Sequence, residues 1–488
     1  MKTNSEHTHK LNQDEIPTEI AGDVMMTIRE MICRMFQWKN PRPLLKGWLT
    51  VLFWIVFAFV GFWAVCYFKH PDLLTFRAVE IPLMLMVACI GIWSARRARK
   101  VSMGLESGLR LVLSVLLAVL VIGQEGWFRW QQFQVFRGGA ALSRIGQHFV
   151  VGFRDFDEVK PLAERGLIGG IYITRRNQEG ETAASLKERI GELQALRVKA
   201  GFPPLFVMAD QEGGKVSHLS PLIERMPPLS SLLVGGTENL ESRAYAYGKQ
   251  QGQALAGVGI NMNLAPVVDL KIESAEEWTD RHTLIEQRAI DSDPWIITRV
   301  ASAYGKGLAA SGVQPTVKHF PGLGRVKADT HLVRASLITD PVERAADWLP
   351  FREVTTRTGA AMMLSHVLLP DIDPDKPASL SRVIVQNVLR KEDGEGWNYQ
   401  GLLITDDLNM GAVYGDGIGK AAISALDAGV DLILVSYDPD QYYRALHSTW
   451  KAWRRGGIDA GREAVSANRL IQYWNQRKLE ADMIRISG

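Results

Sequence analysis

The longest uncharged run in the chain, Gly47 to Phe68, covers 22 residues rich in Phe, Trp and Val. As a helix it extends about 33 Å, enough to cross a hydrocarbon layer of about 30 Å. Ala78–Ala95 is a second span, with Glu80 and Pro82 near its start. Leu111–Gly123 is a third, short unless it continues to Trp127 past Glu125. From about Gly146 the pattern changes to short apolar runs alternating with longer helical stretches. The runs are His148–Phe153, Ile168–Ile173, Leu205–Ala209, Ile260–Ala265, Gln314–Lys318, Ala360–Ser365, Leu402–Thr405 and Asp431–Val435. Eight β-like runs separated by helices predict an α/β fold, a TIM-like (β/α)8 barrel preceded by an α-helical transmembrane module. The expected organisation is an N-terminal segment over 1–46, a module of about three helices over 47–128, and a barrel over 140–488.

Upstream of the first span, Val24–Trp38 has an apolar face broken by Arg29, Glu30 and Arg34. It reads equally as an interfacial amphipathic helix or as a short helix packed on its neighbours. Met1–Ile20 has no apolar core and is no cleavable signal peptide. Basic residues set the orientation. Arg29, Arg34, Lys39, Arg42 and Lys46 precede the first span, and Arg96, Arg97, Arg99, Lys100 and Arg110 follow the second. The loop between the first and second spans holds only Lys69 and Arg77. This pattern puts the N-terminus in the cytoplasm of an inner-membrane protein and the barrel outside, provided the third span crosses. With two spans the barrel returns to the cytoplasm. The aromatic cluster Trp127, Phe128, Trp130, Phe133 and Phe136 then reads as an outer interfacial belt, or as a helix packing onto the barrel.

Net charge is +3, which points away from a nucleic-acid partner and leaves membrane lipid as the expected surface. Residues 1–140 hold 16 Lys and Arg against 10 Asp and Glu, so the barrel carries a small negative balance. Cys33, Cys66 and Cys89 all precede the barrel, which excludes a disulfide framework or a Cys-based zinc site within it.

Polar residues follow the predicted strand ends: Asp210, Asp269, Lys318, His319, His366 and Asp406. In such barrels that rim carries the active site. Two stretches concentrate the chemistry, KHFPGLGRVKADTH (Lys318–His331) and ITDDLNM (Ile404–Met410). One can supply a proton donor and the other a carboxylate nucleophile, the two parts of retaining glycoside hydrolysis. No HExxH or Cys pair suggests a metal, and DQEGGKV lacks the ending of a phosphate loop, so no cofactor is expected.

Together with ADQEGGKVSHL (Ala209–Leu219), these motifs resemble the single-domain β-N-acetylglucosaminidases of glycoside hydrolase family 3, from about Arg144 onward. The resemblance implies Asp406 as nucleophile. Asp407 beside it also reads as a cap for the following helix. It implies His331 as acid/base, paired with Asp329, where most glycosidases use a second carboxylic acid. A His with a pKa near 6.5 can give and retake a proton near neutrality. Gly322 and Gly324 either loosen this loop or form tight turns. Lys318, His319, Asp210 and Arg288 match sugar-binding positions, although Arg288 also reads as a surface salt bridge. His366 reads as a pocket residue or as a partner for backbone groups. Two positions depart from the family pattern: Leu323 stands where a His is usual, and His218 where an Arg is usual. The implied function is a retaining exo-β-N-acetylglucosaminidase acting on terminal N-acetylglucosamine of peptidoglycan fragments or related glycans. A β-N-acetylglucosaminide phosphorylase, another β-glycosidase of the family and a catalytically silent membrane-tethered glycan-binding protein are the rival readings.

Overall fold

The structure, a computed structural model, describes residues 43–99, 104–272, 283–392 and 394–487. The amphipathic stretch Val24–Trp38 lies outside the described residues. Two compact units form: the described residues of 43–68 and 79–121, and those of 69–78 and 122–487.

The first unit holds α1 (Pro43–Cys66), most of α2 (Arg77–Arg99) and the first half of α3 (Leu105–Arg137). Trp48–Cys66, Pro71–Arg99 and Leu105–Arg137 are long and apolar enough to cross a membrane, by length and composition. Gly91 lets α2 and α3 approach, since a Cβ there would come 1.9 Å from Ser114 Oγ. Phe59, Phe62, Ile90, Val112, Leu116 and Val119 are exposed. An apolar surface of that extent marks contact with lipid or a partner.

Helix α3 outruns its apolar pattern. The predicted apolar span stops at Gly123, yet the helix continues to Arg137, in all 33 residues. Glu125 and Arg129 pair across one turn at 2.6 Å. Phe128, Gln131 and Val135 are buried. Phe128 meets Tyr443 edge to face, and Gln131 Nε2 lies 3.5 Å from His447 on α4 (Pro439–Arg454). Tertiary burial prolongs the helix where propensity alone would not. The aromatic cluster therefore divides. Phe128 packs within the barrel unit, whereas Trp127, Trp130 and Phe133 are exposed.

The barrel strands are β1 (Phe149–Val151), β2 (Gly170–Tyr172), β3 (Phe206–Ala209), β4 (Met262–Asn263), β5 (Gln314–Phe320), β6 (Ala361–Leu364), β7 (Leu403–Thr405) and β8 (Ile433–Val435). They pair in parallel in the order β7-β6-β5-β4-β3-β2-β1-β8, and a parallel bridge between Ile404 and Leu432 joins β7 to β8 around the ring. Seven of the strands fall within the predicted runs, and β5 continues two residues past its own, to Phe320. Alternation sorts their side chains. Val150, Phe206, Met208, Met363, Ile404 and Leu434 fill the barrel. Their neighbours Phe149, Val151, Val207, Met362, Leu403 and Val435 join the larger core that includes the helices. The C-terminal helix α5 (Ala460–Ser487) adds Leu470 to the inner cluster and sets Trp474 4.7 Å from Phe206, covering the N-terminal end of the barrel.

Asp431, fully buried just before β8, anchors that closure. Its carboxylate accepts from Leu403 N–H (2.8 Å), Arg390 Nη2 (2.7 Å), Arg469 Nε (2.8 Å) and Ser466 Oγ (2.6 Å). Burial pulls the Arg390 guanidinium down, and Asp431 is the acid that opposes it. Asp431→Ala strands two largely buried cations and is expected to cost about 3–5 kcal/mol. Urea unfolding followed by tryptophan fluorescence measures it; a loss below 1 kcal/mol would show that water replaces the carboxylate.

Candidate active site

The C-terminal strand ends surround a cavity of about 630 Å3. Asp210, His218, Arg288, Lys318, His319, His331 and Asp406 all line it. Asp329, the eighth residue singled out from the sequence, stands behind His331.

At the centre is a buried set of charges. Lys318 Nζ bonds to Asp210 and lies 2.6 Å from Glu212 Oε1. Arg288 clamps Glu212 through Nε at 2.9 Å and Nη2 at 2.7 Å, and gives Nη1 to the Thr283 carbonyl at 2.7 Å. Burial pushes the Glu212 carboxyl up, but Arg288 and Lys318 outweigh it and hold the group well below the usual carboxylate range. The same acids overcome burial at Lys318 and at Arg288, raising both. All three therefore stay charged near neutrality. Arg288 is a buried clamp and not a surface pair.

His319 is fixed by Asp269, which ends the segment after β4. The Asp269 carboxylate accepts the His319 N–H at 3.2 Å and the Leu323 N–H at 2.8 Å, and lies 2.7 Å from His319 Nδ1. The Lys318–His319 peptide is cis. Buried Leu323 thus contributes its backbone to the network, whatever its side chain lacks.

Tyr172, at the end of β2, donates its hydroxyl to Asp210, and His218 Nδ1 lies 3.1 Å from that oxygen. Burial and the charge of Asp210 drive the phenol well above its ordinary value, so it remains a donor. Burial lowers the His218 imidazole despite Asp210. His218 is therefore neutral near pH 7, where an Arg would add a charge.

The loop after β5 carries the Asp-x-His pair. Asp329 Oδ1 accepts the His331 N–H at 2.9 Å and lies 3.0 Å from His331 Nδ1. The Asp329 side chain is 5% exposed and that of His331 43%, so a buried carboxylate orients an accessible ring. The loop is clasped from β7: Gly411 N–H donates to the His331 carbonyl at 2.7 Å, and Ala412 N–H to that of Thr330 at 3.3 Å.

Asp406 follows β7, and its Oδ1 accepts the Asp407 N–H at 2.8 Å. Burial raises its carboxyl, but His319, His366, His331 and that N–H together hold it below the ordinary range. Asp407 turns away to fasten the loop after β8. It accepts from the N–H groups of Asn409 (3.0 Å), Ser436 (3.1 Å) and Tyr437 (2.8 Å) and from Ser436 Oγ (2.7 Å). Its partners lie in loops, whereas Met410 precedes the short helix Gly411–Tyr414. His366 lies buried outside the cavity lining, with Nδ1 2.7 Å from Ser379 Oγ and Nε2 3.0 Å from the Asp407 carbonyl. Its partners are a serine hydroxyl and a backbone carbonyl.

Sequence reasoning passed over Tyr172 and Glu212 and left Asp269 without a role. Glu212 stands two residues after Asp210, a signal that was available; Tyr172 reads as one more core aromatic in an apolar strand.

Residues 142–465 match the family model described as the glycosyl hydrolase family 3 N terminal domain. A β-hexosaminidase of Neisseria gonorrhoeae (strain NCCP11945) is 35% identical over 298 residues, 60% of this chain and 77% of that protein. A solved family 3 β-N-acetylglucosaminidase from Paenibacillus sp. str. FPU-7 matches with a TM-score of 0.61 and 31% identity, over 69% of this chain and 62% of that one. A family 3 glycosyl hydrolase structure from Mycobacterium smegmatis str. MC2 155 matches with a TM-score of 0.60 and 30% identity, over 68% of this chain and 96% of that one.

The clasp on the Asp-x-His loop has no spare room. A Cβ at Gly411 would meet the Leu332 carbonyl oxygen at 2.4 Å and that of His331 at 2.9 Å. Gly411→Ala is expected to part the loops and weaken a bond worth about 1 kcal/mol, so that diethyl pyrocarbonate modifies His331 about fivefold faster. Peptide mass spectrometry reads the rate; no change would mean the loop moves independently of Gly411.

Proposed function

The chain belongs to glycosyl hydrolase family 3 and is a β-N-acetylhexosaminidase, and from that premise we propose a retaining, exo-acting mechanism with Asp406 as nucleophile and His331–Asp329 as acid/base pair. The observation that carries this reading is that Asp406 and His331 line one cavity, each held by a separate loop at the C-terminal rim. A carboxylate oxygen of Asp406 attacks the anomeric carbon as the bond from that carbon to the leaving oxygen breaks. The His331 imidazolium gives its proton to that oxygen, and Asp329 stabilises the charged ring. The neutral ring then takes a proton from water, whose oxygen displaces Asp406 and releases the sugar with its configuration retained. Asp210, His218, Lys318, His319 and Arg288 bind the terminal sugar. Terminal N-acetylglucosamine of peptidoglycan fragments or related glycans is the proposed substrate.

Asp406→Ala is expected to abolish turnover of an aryl β-N-acetylglucosaminide, and a fluorosugar to label Asp406. Because the Asp406 carboxyl sits below the ordinary range and must be ionised to attack, its limb of kcat/KM is expected to fall only at a lower pH than an ordinary aspartate would give. His331→Ala is expected to slow poor leaving groups about 10²–10⁴-fold and activated phenols far less. Labelling at Asp407, or equal losses for both leaving groups, would refute these roles. Sugar 1-phosphate formed in phosphate buffer would turn the reading to a phosphorylase.

We further propose that α1, α2 and α3 cross the cytoplasmic membrane, with the barrel outside. Basic residues around the spans support this orientation. The membership of 69–78 and 122–487 in one compact unit supports the crossing of α2 and α3. The α1–α2 connection must then share the barrel's side of the membrane, which requires α2 and α3 both to cross. Fusions after Arg144 are expected to give active alkaline phosphatase and dark green fluorescent protein; the reverse would place the barrel in the cytoplasm.

A further inference from the structure

The ten residues Lys69–Ala78 stand in sequence between two apolar helices, yet they belong to the barrel unit. Charge holds them there. Arg77 Nη2 bonds to the fully buried carboxylate of Asp438, and Arg77 Nη1 lies 3.6 Å from Asp440. Lys69 Nζ reaches Asp440 at 3.4 Å and Glu125 at 3.3 Å, and lies 4.3 Å from the ring centre of Phe128. Gln441 Nε2 donates to the Lys69 carbonyl at 2.6 Å. The His70 ring meets Tyr414 edge-on, with ring centres 4.6 Å apart. Apart from Glu125 and Phe128 on α3, these partners lie on the segments after β7 and β8. Asp438 caps α4, and the two residues before it, Ser436 and Tyr437, line the active-site cavity.

The turn Pro71–Phe76 brings Asp72 into the lining of that cavity. Its side chain is 75% exposed. The other lining carboxylates are committed: Asp210 and Glu212 to Lys318, Asp407 to the loop after β8, and Asp406 to the reaction. Asp72 has His70 Nδ1 3.5 Å away and, among the described residues, no Lys or Arg ion pair. Arg176, also in the wall, gives Nη2 to the Tyr437 carbonyl at 3.0 Å. Asp72 is thus an exposed carboxylate in the wall of the same cavity whose buried charges are proposed to take the terminal sugar.

We propose that Asp72 is a specificity-determining residue of the active site, recognising a protonated amine on the leaving-group side of the substrate; this rests on the glycosidase reading. An exposed ion pair shifts affinity by up to about fivefold and weakens with salt. The test uses the full chain in detergent and a matched pair of disaccharides, N-acetylglucosamine β-linked to glucosamine or to N-acetylglucosamine. The wild type is expected to favour the amine-bearing sugar about threefold to fivefold in kcat/KM at low salt. That preference should vanish in Asp72→Asn, persist in Asp72→Glu, and fade as pH rises and the amine loses its proton. A preference that is absent in the wild type, or identical in Asp72→Asn, overturns the proposal while leaving the glycosidase reading intact. Absence of turnover on both disaccharides and on an aryl β-N-acetylglucosaminide overturns both.

Discussion

The ion set of Glu212, Lys318, Arg288 and Asp210 is the constraint from which the rest of the mouth follows. A buried charge is tolerable only with a partner at bonding distance, and losing one partner costs several kcal/mol. Each of these side chains is therefore obliged to stay where its neighbours are. Asp210 and Glu212 follow β3, Arg288 lies between β4 and β5, and Lys318 is in β5, so their mutual need locks the segments after β3 and β4 against β5. His319 is then aimed by Asp269 from β4's loop and approached by Arg288 at 3.2 Å. On the proposed reading, a sugar hydroxyl entering this region meets donors and acceptors already ordered by folding, and little reorganisation is left for binding to supply.

The proposed chemistry sits on the loops after β5 and β7, where the design is looser. Asp406 is held by the β7 backbone, Asp329 is buried, and His331 alone is substantially exposed. A ring that must release and recover a proton needs access to water and to the leaving group. Its carboxylate partner needs neither. The clasp from Gly411 reconciles the two, bonding the loop's backbone while the imidazole stays accessible.

How much of this was legible in the residues depends on the range of the interaction. The barrel strands were readable because burial inside and outside the sheet writes a short, local apolar signature. Asp406, Lys318, His319 and the Asp329–His331 pair were readable because each lies in a compact motif at a strand end. Glu212 was hidden by its surroundings, since a carboxylate in a Gly-rich turn resembles a solvated loop until Arg288, 76 residues on, closes on it. Tyr172 was hidden by its type, because an aromatic at a strand end reads as packing. The full length of α3 and the docking of 69–78 could not be read locally at all. Arg77 and Asp438 are 361 residues apart, and no periodicity encodes such a pair.

The threading of Lys69–Ala78 into the active-site wall bears on how this enzyme can be deployed. Many tethered enzymes work equally well once clipped from their anchors, because the tether is only an address. Here a cut between the last apolar helix and the barrel would leave Asp438 without Arg77, Tyr414 without His70 and the cavity without Asp72. The freed barrel would be a fragment lacking part of its own mouth, not a secreted form of the same catalyst. On the proposed topology, a barrel released by a protease would leave part of its own cavity wall behind, so the segment between the first two apolar helices supplies more than an address.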